Sequence, residues 1–416
     1  MNQKLRALAV WAICCLPVAA SAQFYVEEDV SESVWLTPVK HEQRLQERWQ
    51  AAKRDVADPL EKLVRQGKSE LRKLGLEVGV DVSYLAQRSS PNGKQTSIQG
   101  IYYPYLTWNL FKDTAMGSGQ LNVNYTLVRY WGKQAATLQG RSDQAVPFND
   151  YPANQEIFSQ FSYTHTMPGS WNWMSITLGQ FPLYNFDGTQ YLDNQQTALM
   201  NYALSQNATS AYPSASLGGY LQAQVKNWTF SAGYQDGTNI SGQDIRINDA
   251  FDGKYTVFGS VAWNPNFDFG QGQYSVLYYY QPSVSKQPGD INGWSFNMQQ
   301  NMGDNWAMFG RANGANHGTA TGIKTSYALG MARLNPLGRN ASDAIVAGVA
   351  YNDLSAKGLG YPADMRDTEM ALELQWIWGI GNWFTITPDV QFYPKVGLDH
   401  SHDSATVVSL RTTIML

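Results

Sequence analysis

The chain has 416 residues and two cysteines, Cys14 and Cys15, both at its extreme N-terminus. If that segment is removed on export, as argued below, no thiol remains, which excludes disulfides and a Cys-bound metal. Histidine is scarce, with five in all, and only His165 falls within a predicted strand, where its parity points it outward. A hydrolase built on a nucleophile and a nearby His therefore finds little to work with. Charged residues make up only 15%, low for a soluble protein of this size. Downstream of the N-terminus there is no run of about 18 apolar residues, which excludes a helical membrane protein. The mean hydropathy of -0.36 is no objection to a membrane barrel, half of whose strand residues are polar. The net charge of -4 becomes more negative still once Lys4 and Arg6 leave, which argues against a nucleic-acid partner.

What is present is alternation. In "TEMALELQWIW" Met370, Leu372, Leu374 and Trp376 form one face, with Glu369, Ala371, Glu373 and Gln375 on the other. "WFTITPDVQFY" sets Phe384, Ile386, Pro388, Val390 and Phe392 against Thr385, Thr387, Asp389 and Gln391, and "TVVSLRTTIML" repeats the pattern. Strands this aromatic, running to the last residue, suit a barrel whose outer face meets lipid and whose inner face lines water. Aromatics at 13% and 36 glycines agree with it.

The first 22 residues read as a Sec signal: Lys4 and Arg6, an apolar run, then Ala20-Ser21-Ala22 as the cleavage site. Residues 23–39 are polar and irregular. Residues 40–74 are densely charged with helical period. Leu45, Trp49, Ala52 and Val56 lie on one stripe; Asp58-Pro59 then caps a second helix, with Leu60, Leu63, Val64, Leu71 and Leu74 on its stripe and Gly67 interrupting it. The segment suits a periplasmic amphipathic hairpin or oligomerising coil, or a gate at the pore mouth.

From Leu76 the period is two. Strands are expected over 76–86, 101–110, 120–130, 156–166, 173–181, 215–225, 228–235, 255–263, 273–280, 293–301, 306–312, 325–334, 343–351, 368–377, 383–393 and 406–416. Sixteen is the even number that single-chain bacterial barrels require. Links after odd strands are long and rich in Gly, Asn, Asp and Pro, whereas those after even strands are mostly short, with turn chemistry such as "MPGS" and "GDN". That asymmetry predicts external loops at one end and periplasmic turns at the other. The expected architecture is all-β: residues 1–22 a signal, 23–74 a polar and helical segment, and 75–416 a transmembrane antiparallel β-barrel.

The tail "WFTITPDVQFYP" followed by "VVSLRTTIML" resembles the closing strands of the carbohydrate-selective porin family of the OprB type. "TEMALELQW" is similar to that family's glutamate-bearing strand, and "WAMFGRANG" to its aromatic-Gly/Ala-Arg strand end. The likeness spans roughly residues 68–416. Two departures stand out: the family's Trp-Gly-Gly-x-Arg start is reduced to "RQGKSELRKLG", and the last residue is Leu416 where Phe is usual. The resemblance implies a Gram-negative outer-membrane channel for passive diffusion of carbohydrates or similar small polar solutes, with Glu369, Glu373 and Arg311 at the pore wall.

By parity the inward set holds Glu77, Asp81, Glu369, Glu373, Asp389, Gln391, Arg311 and Arg411. These groups could simply keep the lumen wet, or they could exchange a sugar's hydration shell for contacts with Glu, Arg and aromatic faces. Glu369 and Glu373, about 13 Å apart along one strand, would form a rail facing Arg411 and Arg311 across the lumen. The longest link, 182–214, follows the fifth strand and combines Tyr184, Phe186, Tyr191 and Tyr202 with Asp187, Asp193 and Asn194, so it is expected to fold into the lumen. In Asp399-His400-Ser401-His402-Asp403 two histidines share a face, a metal-like spacing, but the cluster sits in a polar external loop where solvated charges are expected. No metal or cofactor is expected. Ten tryptophans, Trp108, Trp131 and Trp228 among them, lie mostly near strand ends as interfacial anchors. The expected partners are small polar solutes, outer-membrane lipids and, in an oligomer, further copies of the chain. An envelope-organising or polysaccharide-export role, with residues 40–74 as gate or partner-binding segment, is the alternative.

Overall fold

The structure is a computed structural model that describes residues 59–416 except 92–94, 194, 249–252, 317–321, 356–364, 382 and 400. The export signal, the polar stretch, the first amphipathic helix with its stripe, the Asp58 cap, Asn194 and His400 lie outside the described residues.

Helix α1, Pro59–Lys73, opens with its proline at the first position and runs through Gly67 without a break. Gly75 ends it with φ 74°, and an added Cβ there would come 2.5 Å from the Asn109 carbonyl oxygen, so only glycine passes this corner. The backbone then extends at Leu76, where the sequence period changes.

The staves are β1 Leu76–Ser90, β2 Thr96–Thr114, β3 Gly117–Gly132, β4 Gln155–Thr166, β5 Met174–Phe181, β6 Ser216–Val225, β7 Trp228–Asp236 and β8 Tyr255–Trp263. They continue as β9 Gly270–Gln281, β10 Ile291–Met302, β11 Trp306–Ala315, β12 Ile323–Leu334, β13 Ala344–Leu354, β14 Thr368–Ile380, β15 Phe384–Lys395 and β16 Ala405–Met415. The two-residue piece Asn266–Phe267 pairs with the start of β9 and prolongs its turn with β8, so the sheet closes as 16 staves. Every stave is antiparallel to its neighbours, and β1 pairs with β16 from Asp81↔Met415 to Ser90↔Thr406. At the seam Val80 and Leu416 exchange backbone hydrogen bonds of 2.8 and 3.0 Å, so no edge is left to lipid.

All sixteen predicted strands are present, but β1, β2 and β3 run longer than their patterns suggested. The added residues, such as Arg88, Ser90 and Thr96, face outward without being apolar. Strand pairing continues past the lipid, where an outer face no longer needs to be greasy. On the outer face, Leu178, Leu221, Tyr278, Leu329, Leu374 and Leu410 are exposed as a lipid-facing surface requires, and Trp228 and Trp306 at strand starts, with Trp108 opposite the first residue of β1, are exposed where an interfacial girdle belongs. His165 is outward as expected, opposite Ile176 in the register and against Tyr163.

The interior departs from a simple open tube. The link 182–214 folds inward as anticipated, but so does the link 133–154, which the sequence presented as an external loop. This second loop carries α2, Ala135–Arg141, and buries Val146 and Phe148. The longer loop carries α3, Tyr202–Ser205, whose cap Asn201 accepts a hydrogen bond from the Ala203 N–H. Leu199, Ala203, Leu204 and Ala208 pack on Phe309, Ala328, Ala332, Val346 and Ala350, inward residues of β11 to β13. A Cβ at Gly348 would stand 2.8 Å from Leu199, so glycine lets the loop lie flat on the wall. Over this stretch β12 and β13 are apolar on both faces, because one meets lipid and the other meets protein.

Candidate functional site

Of the eight inward polar residues expected to line water, Glu77 and Asp81 stay half-buried, and the other six also keep the expected parity. The structure nevertheless covers these six with loop. Glu369 is 0% exposed, Glu373 2%, Arg311 3% and Arg411 1%, with Asp389 and Gln391 also buried. A charge taken from water needs partners, and the loops supply backbone groups. Glu369 accepts from the N–H groups of Ala145 at 2.8 Å, Val146 at 2.9 Å and Gly397 at 2.6 Å. Four residues along the same stave, Glu373 accepts from Met200 at 2.5 Å and Asn201 at 2.9 Å. The two glutamates thus grip different loops.

The arginines do the converse with carbonyls. Arg411 Nη1 donates to the carbonyl oxygens of Gln195 and, at 2.8 Å, Ala198. Arg311 donates to Leu192 O at 2.6 Å and to Asn297 Oδ1 at 2.6 Å, with the Asp187 carboxylate 4.0 Å away. Gln391 donates to Phe148 O at 2.9 Å, and its side-chain oxygen accepts from Tyr393 and Asn201. Asp389 lies opposite Gln375 on β14 and Ser409 on β16.

The expected rail across the lumen is therefore corrected in two respects. Arg411 is on β16, two staves from Glu373 on β14, so the charges share one stretch of wall and do not oppose each other. Both also point into protein. The aromatic and acidic residues of the long loop are likewise turned toward the wall. Phe186 packs between Tyr220 and Phe258 with ring centroids 5.1 and 4.9 Å away, and Tyr191 stacks on Phe309 at 5.2 Å. Tyr184 meets Tyr212 edge to face at 5.4 Å. Asp187 accepts from Asn207 at 2.7 Å, Tyr212 at 3.0 Å and Asn297 at 2.9 Å.

The two loops are joined at Asp150, which sequence reading passed over because a lone Asp in a polar link carries no signal. Its N–H donates to Gln195 Oε1 at 2.6 Å, its carboxylate accepts from Gln195 N–H at 2.8 Å, and Ser205 and Gln206 also donate to it. Burial outweighs these donors and pushes its carboxyl up to about 8.

Half-exposed inward positions gather on the periplasmic halves of β1 to β4: Glu77, Asp81, Tyr103, Tyr105, Thr107, Asn124, Gln160 and Thr164. Tyr103 and Tyr105 stand with ring centroids 6.3 Å apart, and Asn124 donates to Gln160 at 3.1 Å. Of these, only Glu77 and Asp81 were expected from the sequence to line the pore. In the external cluster, His402 Nδ1 lies 2.8 Å from Asp143, and Asp399 and Asp403 pair with Arg366 at 2.8 and 2.9 Å. Among the described residues no group of three His, Cys, Asp or Glu is arranged to hold a metal.

Residues 148–416 match the carbohydrate-selective porin, OprB family. The chain is 35% identical to Porin AaxA of Chlamydia abortus over 326 residues, 76% of this chain and 72% of that one. To Porin AaxA of Chlamydia felis it is 33% identical over 344 residues, 80% and 77% of the two chains. The fold is similar to the high-pH structure of Pseudomonas putida OprB, with a TM-score of 0.69 at 13% identity, covering 85% of this chain and 97% of that one. The covered lumen wall, the closed antiparallel barrel and these likenesses converge: the chain belongs to the carbohydrate-selective porin, OprB family, and is an outer-membrane channel protein.

Proposed function

We propose that this porin passes carbohydrates and similar small polar solutes by passive diffusion along the half-buried periplasmic part of the wall of β1 to β4. The observation that carries the reading is the contrast in coverage: the charged wall of β11 and β14 to β16 is sealed by loops, while Tyr103, Tyr105, Asn124 and Gln160 on β2 to β4 stay half-buried. Such a surface suits hydroxyl-rich solutes. Asn and Gln both donate and accept, and a tyrosine ring can lie against the apolar face of a pyranose. Glu369, Glu373, Arg311, Arg411 and Gln391 then act on transport indirectly, by fixing the loops that narrow the pore.

In the same proposal residues 1–22 direct export through the Sec route, residues 23–74 are a separate N-terminal segment, and residues 75–416 form the channel. Diffusion requires no nucleophile, so no catalytic role is assigned. The test is single-channel conductance in planar bilayers with sugars titrated as blockers. Tyr105→Ala and Asn124→Ala should each raise the half-blocking sugar concentration several-fold, as the loss of about 1 kcal/mol of contact requires. Unchanged block in both variants would overturn the solute path.

A further inference from the structure

The outer face of the barrel carries a local feature that channel function leaves unused. At the external ends of β1 and β3, Tyr84 and Trp131 are exposed at 43% and 48% with ring centroids 5.9 Å apart, and Tyr102 meets Tyr84 edge to face at 6.1 Å. Gly100 makes this bed possible: a Cβ there would approach the Trp131 ring to 2.7 Å, so the indole can lie across β2 only over glycine. Three cations stand on or next to the two staves that carry Tyr84 and Trp131. Arg88 is exposed on β1 opposite Thr96, Arg129 is outward on β3 opposite Gly100, and Lys133 is exposed just beyond β3.

Arg129 is already neutralised, since it pairs with Glu156, which also accepts from Tyr125 at 3.0 Å. Arg88 and Lys133 have no acidic partner among the described residues. Two unpaired cations beside an aromatic bed, on the lipid-facing side at the height where the outer leaflet meets water, complement an anionic headgroup carried on a sugar. The rings can lie against the sugar and the first acyl carbons. A girdle alone explains the rings, but it does not explain the two cations or the flat indole over Gly100.

We infer that Arg88, Lys133 and the Tyr84-Tyr102-Trp131 bed form a docking site for a phosphorylated glycolipid of the outer leaflet. The phosphate sits between the two cations, and the sugar rests on the rings. No bond is made or broken. The site lies outside the lumen, so its failure would leave the proposed solute path untouched.

The test uses the full chain reconstituted in phosphatidylcholine vesicles containing a diphosphoryl glucosamine disaccharide lipid, with retained lipid measured after extraction and repurification. Each basic side chain at an anionic membrane surface contributes about fivefold. Arg88→Gln with Lys133→Gln should therefore weaken retention ~25-fold, and Lys133→Gln alone about fivefold. Lys254→Gln with Lys324→Gln, exposed cations elsewhere, should leave retention unchanged. A heat-resistant barrel band on gels shows that each variant is folded. The site is overturned if the double variant retains the lipid as well as the parent, or if the dephosphorylated lipid is held equally. It is also overturned if inorganic phosphate alone displaces the lipid, or if the double variant changes only the number of copies in the assembly, which would make the patch an interface between barrels.

Discussion

Two stretches of the same inner wall carry similar polar residues at the same parity and end in different environments. On β14 to β16, Glu369, Glu373, Gln391 and Arg411 meet loop backbone and are buried; on β1 to β4, Asp81, Tyr105, Asn124 and Gln160 stay half exposed. Parity alone therefore cannot say which inward residue touches a solute. What decides it is where an infolded loop brings unpaired N–H and C=O groups. A loop inside a barrel has few neighbours to satisfy its backbone, and buried charges on the wall are strong partners for it.

The comparison can be broken most forcefully at the glutamate grip. Glu373→Ala leaves the N–H groups of Met200 and Asn201 without their acceptor; each charge-assisted bond lost in a buried site costs about 1.5–3 kcal/mol. The expected outcome is a freed long loop, seen as higher and noisier single-channel conductance and as new protease cuts between residues 182 and 214. Leu374, the next residue, points the other way to lipid. Leu374→Arg should cost about 2–4 kcal/mol near the midplane, read from unfolding in urea, while conductance of the folded fraction stays unchanged. The opposite pairing of effects would mean that the register is shifted by one.

Arg411→Ala is expected to act like Glu373→Ala but less strongly, because a buried carbonyl tolerates loss of its donor better than an N–H tolerates loss of its acceptor. The pH dependence at Asp150 probes the same loops without a mutation. Its carboxyl is held near 8 in the fold against an ordinary value of 3.8, so the folded junction binds a proton that the released loops give up. The junction is therefore tightest below about pH 4 and loses stability progressively as pH rises toward 8, after which the slope ends. Open-state noise should rise across that window, and Asp150→Asn should flatten the profile.

The period-two strands were legible because each side chain faces lipid or interior by turns, and the Gly75 corner was legible as the change from helical to strand period. The inward fold of 182–214 could be read from its aromatic density. The link 133–154 could not, since Val146 and Phe148 are too few to mark it as interior. The stronger sign lay elsewhere, in β12 and β13, where Ala328, Ala332, Val346 and Ala350 make the inner face apolar as well. A wall that is greasy on both sides must be covered. The Glu369 and Glu373 grips were beyond reach, because their partners are backbone groups 224 and 173 positions away and carry no side-chain signature.

Aqueous thiol modification during current recording sets the two walls against each other directly. In the mature chain, expected to be free of cysteine, Asn124→Cys and Gln160→Cys should be modified from water and step the conductance down, whereas Ala350→Cys and Ala371→Cys, beneath the loops, should stay silent. Silence at 124 and 160 with prompt modification at 350 and 371 would place the water path on the other wall and contradict the assignment of the loops as latched covers.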